Sequence, residues 1–325
     1  MTNVVQASEV NIERAAGILR SGGIVAFPTE TVYGLGADAL NPVACARIFE
    51  AKNRPSFDPL IVHIARLEDL EALAVAVPLR ARALIERFWP GPLTLVLEKK
   101  EIVPDIVTAG LPTVAVRMPA HPVALELIVR TGRPIAAPSA NPFGYISPTI
   151  AGHVVAQIGD SVDMILDGGQ CAVGLESTIL RIDEERAFLL RPGGLAIEEI
   201  ENLIGRVDDA SGPNAIPQAP GQTTSHYSPR TPVRIVADAA VAGGVAGSAG
   251  LLAFRRPRDV LAYDHVEVLS PSGDLREAAA RLFSCLHELD ARGLDIIIAE
   301  SVPENGLGRA IMNRLRRAES AARKR

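Results

Sequence analysis

Short apolar runs alternate with amphipathic stretches over the first 200 residues of the chain. Apolar side chains recur at helical spacing over Asn11–Arg20, which predicts a helix capped by its first residue. The run Ile24–Phe27 predicts a buried strand, and the loop Pro28–Gly36 follows it directly. A second helix is predicted from Pro42 to about Ala51. The loop is therefore expected at the end of a strand.

The same pattern continues to about Leu203 and predicts a mixed α/β fold for this part of the chain. Further strands are predicted at Leu60–Ile64, Leu93–Leu97, Val114–Arg117, Ile135–Ala137, Met164–Asp167, Ser177–Ile182 and Ala187–Leu190. Further helices are predicted at Leu79–Phe88, Pro122–Arg130 and Thr149–Gln157.

The periodicity stops between Val207 and Pro232, where Gly, Pro, Ser, Thr and Gln dominate and predict a linker. A second α/β pattern follows, and its alternation of strands and helices predicts a small parallel, doubly wound sheet. Its predicted strands are Val233–Val236, Gly250–Phe254, Val266–Leu269 and Asp295–Ile298, and its predicted helices are Leu275–Leu289 and Arg309–Ala322. Since 325 residues exceed one ordinary core, we expect domains at 1–206 and 233–325, joined by the linker 207–232.

The composition narrows the class of protein. With 48% hydrophobic and 22% charged residues, the chain is expected to fold without disulfides or metals. A net charge of −5 argues against polyanion binding over the whole surface, so an anionic partner would be held in a local cleft. The widely spaced Cys45, Cys171 and Cys285 predict reduced thiols and no structural zinc. With no secretory signal and no membrane-spanning run, we expect a cytoplasmic protein.

The loop Pro28–Gly36 carries Thr29, Glu30, Thr31 and Tyr33 at a strand end, where ligands of α/β proteins usually bind. It is neither a Walker P-loop nor a GxGxxG motif, so no standard phosphate cradle is present. Two interpretations stay open at this point. The loop either binds a ligand or is a turn whose hydroxyls satisfy local backbone groups.

Lys52 and Arg54 follow the second predicted helix, and Pro55 prevents its continuation. Cations at a helix C-terminus often only stabilise the helix dipole. Alternatively, a fork-shaped guanidinium beside an ammonium would clamp a triphosphate. His63 alternates with Ile residues in a predicted strand, where a histidine is more often part of the core.

Ser139 and Asn141 stand between Pro138 and Pro142, whose rings fix the backbone. This would hold a hydroxyl and an amide ready for hydrogen bonds to a ligand, and a solvated loop is the alternative. A nucleophilic serine is not indicated, because no GxSxG elbow surrounds Ser139.

In this order, these pieces resemble the long form of the threonylcarbamoyl-adenylate synthase family, a YrdC-like domain joined by a linker to a smaller C-terminal domain. The resemblance rests on Pro28–Gly36, Lys52–Pro55, Pro59–His63, Phe88–Thr94, Val116–Pro119, Pro138–Asn141, Leu175–Thr178, Arg191–Gly193 and His226–Pro229. It covers nearly the whole chain, is highly specific over the first 200 residues, and beyond Pro232 rests on layout and size. It implies an α/β protein with a twisted mixed sheet and helices, followed by a Rossmann-like parallel α/β domain.

The resemblance also implies a reaction. Such enzymes condense L-threonine, bicarbonate and ATP to threonylcarbamoyl-AMP and pyrophosphate, for N6-threonylcarbamoyladenosine at position 37 of tRNA. The carbamate of threonine would attack the α-phosphorus, so catalysis would rest on positioning and charge neutralisation, with Mg²⁺ accompanying ATP and no protein side chain as metal ligand. A tRNA threonylcarbamoyl transferase would then receive the product.

The residues that the resemblance implies fall into two sets. L-threonine would be held by Thr31, His63, Arg117, Ala137 and Ser177, with Arg117 pairing its carboxylate. ATP would be surrounded by Lys52, Arg54, Asp58, Thr113, Ser139, Asn141, Ser147, Arg191, His226 and Tyr227, with Lys52 and Arg54 as the catalytic cations. His226 and Tyr227 would make the linker a lid over the nucleotide.

The chain departs from the family pattern at Gln222–Ser225, where the family often carries a Met and basic residues, which puts extra phosphate contacts from the linker in doubt. The last predicted helix carries Arg309, Arg314, Arg316 and Arg317, which we expect to form a solvated basic face, with a weak contact to tRNA or a partner enzyme as the alternative. Two rival functions remain. One is an RNA-binding module with a basic cleft, disfavoured by the acidic pI and few aromatic residues, and the other is a carbamoyl-phosphate hydrolase on the same fold.

Overall fold

The computed structural model describes residues 3–211, 227–239, 247–257 and 263–322. These residues form an eleven-stranded mixed sheet and a four-stranded parallel sheet, and helices pack against both. The predicted α/β class with a larger mixed sheet and a smaller parallel one is confirmed. The domain boundaries 1–206, 207–232 and 233–325 stay a prediction.

The large sheet is built from short strands over the first two thirds of the chain. They are β1 Val4–Gln6, β2 Val25–Phe27, β3 Gly34–Asp38, β4 Ile61–His63, β5 Leu93–Glu98, β6 Thr113–Arg117, β7 Ile135–Ala136, β8 Met164–Asp167, β9 Thr178–Ile182, β10 Ala187–Arg191 and β11 Asp208–Asp209. The helices between them are α1 Glu9–Arg20, α2 Pro42–Lys52, α3 Leu67–Leu73, α4 Leu79–Phe88, α5 Asp105–Thr108, α6 Pro122–Thr131, α7 Ala151–Ile158 and α8 Ile197–Ile204, with a 3₁₀ turn at Gly159–Ser161.

The strand order of the large sheet is β1-β8-β2-β3-β7-β4-β6-β5-β9-β10-β11. Parallel pairs such as β4 with β6 and β5 with β9 alternate with antiparallel pairs such as β3 with β7. Helices α1 and α6 cover one face with side chains such as Leu19 and Leu127, and the other face carries the largest core cluster, which includes Leu35, Val62 and Leu95. Polar side chains lie at the strand ends between these two layers.

Two local predictions were wrong. Helix α1 begins at Glu9, because the Ser8 hydroxyl rather than Asn11 caps it by accepting from the Asn11 backbone N–H. The last three residues of the loop Pro28–Gly36 belong to strand β3, which pairs antiparallel with β2. Gly36 is required there, since a Cβ on it would lie 2.7 Å from the Phe27 ring and 2.8 Å from the Ile135 side chain.

The four-stranded sheet contains β12 Val233–Val236, β13 Ala249–Ala253, β14 His265–Val268 and β15 Ile296–Glu300 in the order β12-β15-β13-β14. All its pairings are parallel, as predicted. Helices α9 Leu275–Asp290 and α10 Gly308–Ala322 share one core cluster on one face of this sheet. The doubly wound arrangement stays a prediction, because 240–246 and 258–262 lie outside the described residues.

The two sheets are joined by a continuous apolar cluster. Phe283 of α9 packs in the same cluster as Val32, Ile146 and Leu175, which belong to loops of the large sheet. Gly174, with a φ of 71°, lies so close to α9 that a Cβ would be 2.5 Å from the Ala280 Cα. The C-terminal helices therefore pack directly against the loops that follow the strands of the large sheet.

Candidate functional site

A cavity lies where the β2–β3 turn meets the ends of β4, β6 and β7. Its lining consists of Thr29, Thr31, Val32, Gly34, Arg54, Ile61, His63, Arg117, Ala137, Pro138, Ser139, Glu176, Ser177, Arg191 and Tyr227. Three guanidinium groups against one carboxylate make the lining suited to an anion.

Backbone hydrogen bonds fix the β2–β3 turn against the loop that follows β7. The Leu35 N–H donates to the Pro138 carbonyl at 2.8 Å, and the Ala140 N–H donates to the Tyr33 carbonyl at 2.8 Å. The Tyr33 N–H donates to the Pro148 carbonyl at 2.9 Å. Two segments that are far apart in sequence thereby form one rigid wall of the cavity.

Arg117, at the end of β6, lies at the centre of one group of polar side chains. Its Nη2 lies 2.6 Å from the Glu30 carboxylate, its Nη1 donates to the Thr31 hydroxyl at 2.9 Å, and its Nε donates to the Gly91 carbonyl at 3.1 Å. Arg117 is only 3% exposed, and the structure describes no hydrogen bond to either Glu30 carboxylate oxygen. The guanidinium is thus locked in place and its charge is balanced.

The direction of the hydrogen bonds around Thr31 follows from the donors available. Thr29 Oγ1 donates to the Val32 carbonyl at 2.7 Å, so the 2.7 Å contact between the two threonine hydroxyls uses the proton of Thr31. Arg117 can only donate, so Thr31 Oγ1 accepts from it. One acceptor lone pair of Thr31 is left for a donor in the cavity.

The Thr29 hydroxyl also accepts from the backbone N–H groups of Thr31 and Val32, at 3.1 and 3.2 Å. The interpretation that a hydroxyl of this turn satisfies local backbone groups therefore holds for Thr29. It does not exclude a ligand at Thr31, which lines the cavity with its remaining lone pair.

His63, at the end of β4, is buried beside Arg117, and its Nδ1 lies 3.2 Å from the Ile61 carbonyl. Burial, and then the positive charge of Arg117, lower its pKa from 6.5 to about 3. The imidazole is therefore neutral at physiological pH. It lines the cavity and also packs in the core, so it is placed both to contact a ligand and to contribute to packing.

Lys52 and Arg54, at the end of α2, are both buried and both engaged. Lys52 Nζ donates to the Ser139 carbonyl at 2.6 Å and to the Asn141 carbonyl. Arg54 pairs with Asp58 at 2.9 Å and donates to the Pro59 carbonyl at 2.7 Å. Burial lowers the pKa of Lys52 well below its ordinary value. Arg54 lines the cavity, whereas Lys52 holds the loop behind it.

A second group of polar side chains surrounds Tyr227. Arg191 donates to the Ser177 carbonyl at 2.9 Å and lines the same cavity as Tyr227. The Ser177 hydroxyl lies 2.7 Å from that of Thr94, and Arg54 lies close enough to Tyr227 to interact electrostatically. Tyr227 has a φ of 63° and a ring that is 1% exposed, so it packs into the site itself.

Glu176 bridges this group and the C-terminal helix α10. It accepts hydrogen bonds from the Ser147 hydroxyl and, at 2.9 Å, from Arg314 Nε. Burial raises the pKa of Glu176, but the positive charges of Arg314 and Arg191 outweigh it and lower the pKa overall. Glu176 is therefore ionised at neutral pH.

The predicted site residues divide by position. Nine of them line the cavity, namely Thr31, Arg54, His63, Arg117, Ala137, Ser139, Ser177, Arg191 and Tyr227. Lys52, Asp58, Asn141 and Ser147 are buried just behind it. Thr113 lies at the other end of β6, four residues and roughly 13 Å from Arg117. His226 and the departing segment Gln222–Ser225 lie outside the described residues.

Sequence reasoning missed several residues of the site. Six residues line the cavity although they were not predicted as site residues, namely Thr29, Val32, Gly34, Ile61, Pro138 and Glu176. Two others, Glu30 and Arg314, contact residues of the lining. Arg314 had a signal in the sequence, because it shares a helical stripe with Ile311, Leu315 and Ala318. An arginine on the apolar stripe of a helix predicts a buried partner.

The expected solvated basic face of the last helix is wrong for two of its four arginines. Arg314 is 0% exposed and Arg317 is 8% exposed, and only Arg316 of this set is fully on the surface, where it pairs with Glu304. The side of α10 that carries Arg314 packs against loops that line the cavity, so it is not a solvated face.

Among the described residues, the three cysteines are free and buried, and no group of three His, Cys, Asp or Glu side chains could hold a metal ion. No helix in the described part of the chain is both long and apolar enough to cross a membrane.

Comparisons with known proteins agree over the whole chain. Residues 17–193 match the Sua5_yciO_yrdC family model, described as "Telomere recombination", and residues 195–320 match the model described as "Threonylcarbamoyl-AMP synthase, C-terminal domain". A threonylcarbamoyl-AMP synthase of Pyrococcus abyssi is 47% identical, with 95% of this chain and 94% of the relative covered. One of Bacillus subtilis is 43% identical, with 98% and 95% covered.

A solved structure supports the same relationship. The crystal structure of P. abyssi Sua5 complexed with L-threonine superimposes with a TM-score of 0.88 at 45% identity, covering 98% of this chain and 97% of that one. Matches at this identity and coverage, in both sequence and structure, extend across both sheets. The chain therefore belongs to the threonylcarbamoyl-AMP synthase family, in the form that carries both the Sua5/YrdC-type domain and the C-terminal domain.

Proposed function

We propose that this protein is an L-threonylcarbamoyladenylate synthase, which converts L-threonine, bicarbonate and ATP to threonylcarbamoyl-AMP and pyrophosphate. The observation that carries the proposal is the convergence on one cavity of nine residues expected to hold threonine or ATP. The product would serve N6-threonylcarbamoyladenosine formation at position 37 of tRNA, through transfer by a tRNA threonylcarbamoyl transferase.

The group around Arg117 suits L-threonine. The guanidinium offers charge to the substrate carboxylate, although Glu30 already shares it, and Thr31 offers a lone pair to the amine. His63 is neutral, so it can exchange a hydrogen bond with the hydroxyl of threonine without competing for the carboxylate. In this assignment Ala137 and Ser177 complete the threonine subsite.

The group around Tyr227 suits the triphosphate. Arg54 and Arg191 line the cavity there, and Lys52 fixes the carbonyls of Ser139 and Asn141 from behind. The pyrophosphate leaving group gains negative charge in the transition state, and fixed guanidinium groups stabilise it without reorganisation. We keep Asp58 and Ser147 as residues that hold Arg54 and Glu176 in this assignment.

No protein nucleophile is required in this mechanism. The neutral amine of threonine attacks the carbon of bicarbonate and forms a carbamate with loss of one water molecule. A carbamate oxygen then attacks the α-phosphorus as pyrophosphate departs. We propose that Mg²⁺ enters as part of the substrate, bound to the triphosphate, because Asp58 and Glu176 are both engaged with arginines. The contribution of the chain is to hold two anionic substrates next to each other in a buried site.

The decisive experiment measures pyrophosphate release with each substrate withheld in turn. Release should require L-threonine, bicarbonate and ATP together, and the product should have the mass of threonylcarbamoyl-AMP. L-valine, which replaces the threonine hydroxyl by a methyl group, should be a poor substrate because it leaves the polar group of His63 unpaired. Release that does not depend on threonine would contradict the proposal.

The same assay separates the rival functions. A carbamoyl-phosphate hydrolase would release phosphate from carbamoyl phosphate without threonine or ATP. An RNA-binding module would show salt-sensitive RNA affinity and no nucleotide turnover. Neither rival accounts for the locked Arg117, Thr31 and Glu30 group beside a second group of arginines.

A further inference from the structure

We propose that Arg314 of α10 is a positioning residue for the nucleotide half of the site, so that the C-terminal domain completes the ATP-binding surface. This inference rests on the proposed function. It assigns a role to a side chain that comes from the second sheet's domain and lies behind the cavity lining.

Arg314 fixes the carboxylate of Glu176. Its Nε donates to Glu176 at 2.9 Å, while its Nη1 donates to the Pro192 carbonyl at 2.8 Å. Pro192 follows Arg191 directly, so a single guanidinium bridges the segment before β9 and the segment after β10. Both segments supply residues to the cavity, and Arg314 therefore sets the distance between Glu176 and Arg191.

Arg314 also supports Tyr227. The guanidinium carbon lies 4.8 Å from the centre of the Tyr227 ring, and Phe283 of α9 stacks on this ring at 5.8 Å. The C-terminal domain thus contributes two side chains to the position of a single tyrosine. Tyr227 in turn lines the cavity together with Arg191.

Several charged side chains are buried together around Glu176. Arg191, Arg314 and Arg317 approach one another with Glu176 as the carboxylate among them, and all three arginines are less than 9% exposed. The Nη2 of Arg314 has no hydrogen-bond partner among the described residues. A buried donor without a partner is costly, so a phosphate oxygen within reach of this guanidinium would stabilise it.

The segment that contains Glu176, the partner of Arg314, packs tightly against α9. Gly174, two residues before Glu176, packs so closely on α9 that a Cβ would lie 2.6 Å from the Ala280 carbonyl oxygen. Because the two backbones leave no room for a side chain at Gly174, α9 and the Glu176 segment have little freedom to slide past each other. Movements of the C-terminal helices are therefore transmitted to Glu176 and Tyr227.

The test compares Arg314→Gln with Arg316→Gln, a matched change on an exposed arginine of the same helix that pairs with Glu304. In the threonine-dependent pyrophosphate assay, Arg314→Gln should raise the KM for ATP at least tenfold and change the KM for L-threonine less than twofold. Arg316→Gln should leave both unchanged. Equilibrium titration with ATP alone should show the same loss of affinity in Arg314→Gln.

A second variant covers the case in which Arg314→Gln does not fold. Arg314→Lys keeps the charge that Glu176 requires but cannot also donate to Pro192, so it should raise the KM for ATP by a smaller factor. Equal increases of both KM values with a lowered melting temperature would show a merely structural role and overturn the inference. Wild-type turnover that requires threonine, with unchanged ATP affinity in both Arg314 variants, would overturn it and leave the proposed function intact. Wild-type protein that binds no ATP would overturn both.

Discussion

Arg117 and Glu30 form an ion pair with a separation of 2.6 Å inside the candidate site, and the side chains are only 4% and 11% exposed. The remaining donors of Arg117 are directed at Thr31 and Gly91. The guanidinium is thus held by two segments, the β2–β3 turn and the turn at Gly91, before any ligand binds. This arrangement is preorganised, and a ligand carboxylate would meet a cation that does not need to move.

The first prediction concerns the fork geometry of Arg117. Arg117→Lys keeps a positive charge beside Glu30, but its ammonium group cannot donate hydrogen bonds to Thr31, Gly91 and a substrate carboxylate at the same time. We expect the KM for L-threonine to rise at least about tenfold, which is about 1.4 kcal/mol of binding free energy, while the KM for ATP changes little. Steady-state kinetics with each substrate varied in turn provide the measurement.

Arg133→Lys is the matched control, because Arg133 forms a longer pair of 3.5 Å with Asp38 and its side chain is 56% exposed. It should not alter either KM. An Arg117→Lys enzyme with the threonine KM of the wild type would remove Arg117 from the threonine subsite.

The second prediction concerns the buried pair of Arg54 and Asp58. Both side chains are less than 4% exposed, so Asp58→Asn leaves a buried guanidinium without its counter-ion. We expect a loss of about 3 kcal/mol in the free energy of unfolding, measured by urea denaturation. Glu304→Gln breaks the exposed pair with Arg316 and should cost less than about 1 kcal/mol. Equal losses in the two variants would show that burial does not strengthen the dependence of Arg54 on Asp58.

The sequence alone predicted the elements whose residues follow a clear period. Helix α4 was predicted at Leu79–Phe88 and is found there, and β12 was predicted at Val233–Val236 and is found there. Elements without such a pattern were missed. Strand β3, with the sequence Gly-Leu-Gly-Ala-Asp, has low strand propensity and exists because its glycines allow Phe27 and Ile135 to approach the backbone.

The same distinction, between residues in a recognisable local pattern and residues without one, applies to the candidate site. Residues in short motifs, such as Thr31 and Arg117, could be placed from the sequence because a resemblance aligned them. Arg314 could not, because its role depends on the packing of α10 against a loop 138 residues earlier in the chain. Contacts between distant segments are set by tertiary packing, and the local pattern gives only the indirect signal of an arginine on an apolar stripe.

The third prediction concerns the pH dependence of stability. The pKa of His63 is about 3 in the folded protein and 6.5 ordinarily, so the unfolded chain binds the proton first as the pH falls. Stability contributed by neutral His63 is therefore present above about pH 6.5 and is lost as the pH falls toward 3. The loss from this one group should be about 2 kcal/mol between pH 7.5 and pH 5.

His153 and His287 act in the same direction, since burial lowers the pKa of each, to about 3 and about 4. The contribution of His63 is therefore isolated by difference. Urea denaturation at pH 7.5, 6 and 5 should show a shallower dependence on pH in His63→Asn than in the wild type. Identical slopes would mean that His63 takes up a proton in the folded protein as readily as in the unfolded chain.

The fourth prediction concerns Gly193, which closes the turn after β10. A Cβ on this residue would lie 2.3 Å from the Glu176 carbonyl oxygen and 2.4 Å from both the Ser177 carbonyl carbon and the Thr178 nitrogen. All three are backbone atoms, so no side-chain rotation can relieve the overlap. Gly193→Ala must push the Glu176–Thr178 segment away from Arg191, and we expect it to cost about 2 kcal/mol of stability.

The same displacement should reduce turnover. Ser177 and Glu176 line the cavity, and a shift of about 1 Å in a positioning segment can cost on the order of a hundredfold in rate. Gly152→Ala is the matched control, because Gly152 lies on the exposed side of α7 and a Cβ there meets only the Ile150 side chain, at 3.6 Å. This variant should be as active as the wild type and no less stable, since Ala favours a helix over Gly by up to about 1 kcal/mol. Wild-type activity and stability in Gly193→Ala would show that the Glu176–Thr178 segment yields freely, and that its contact with Gly193 does not set the geometry of the site.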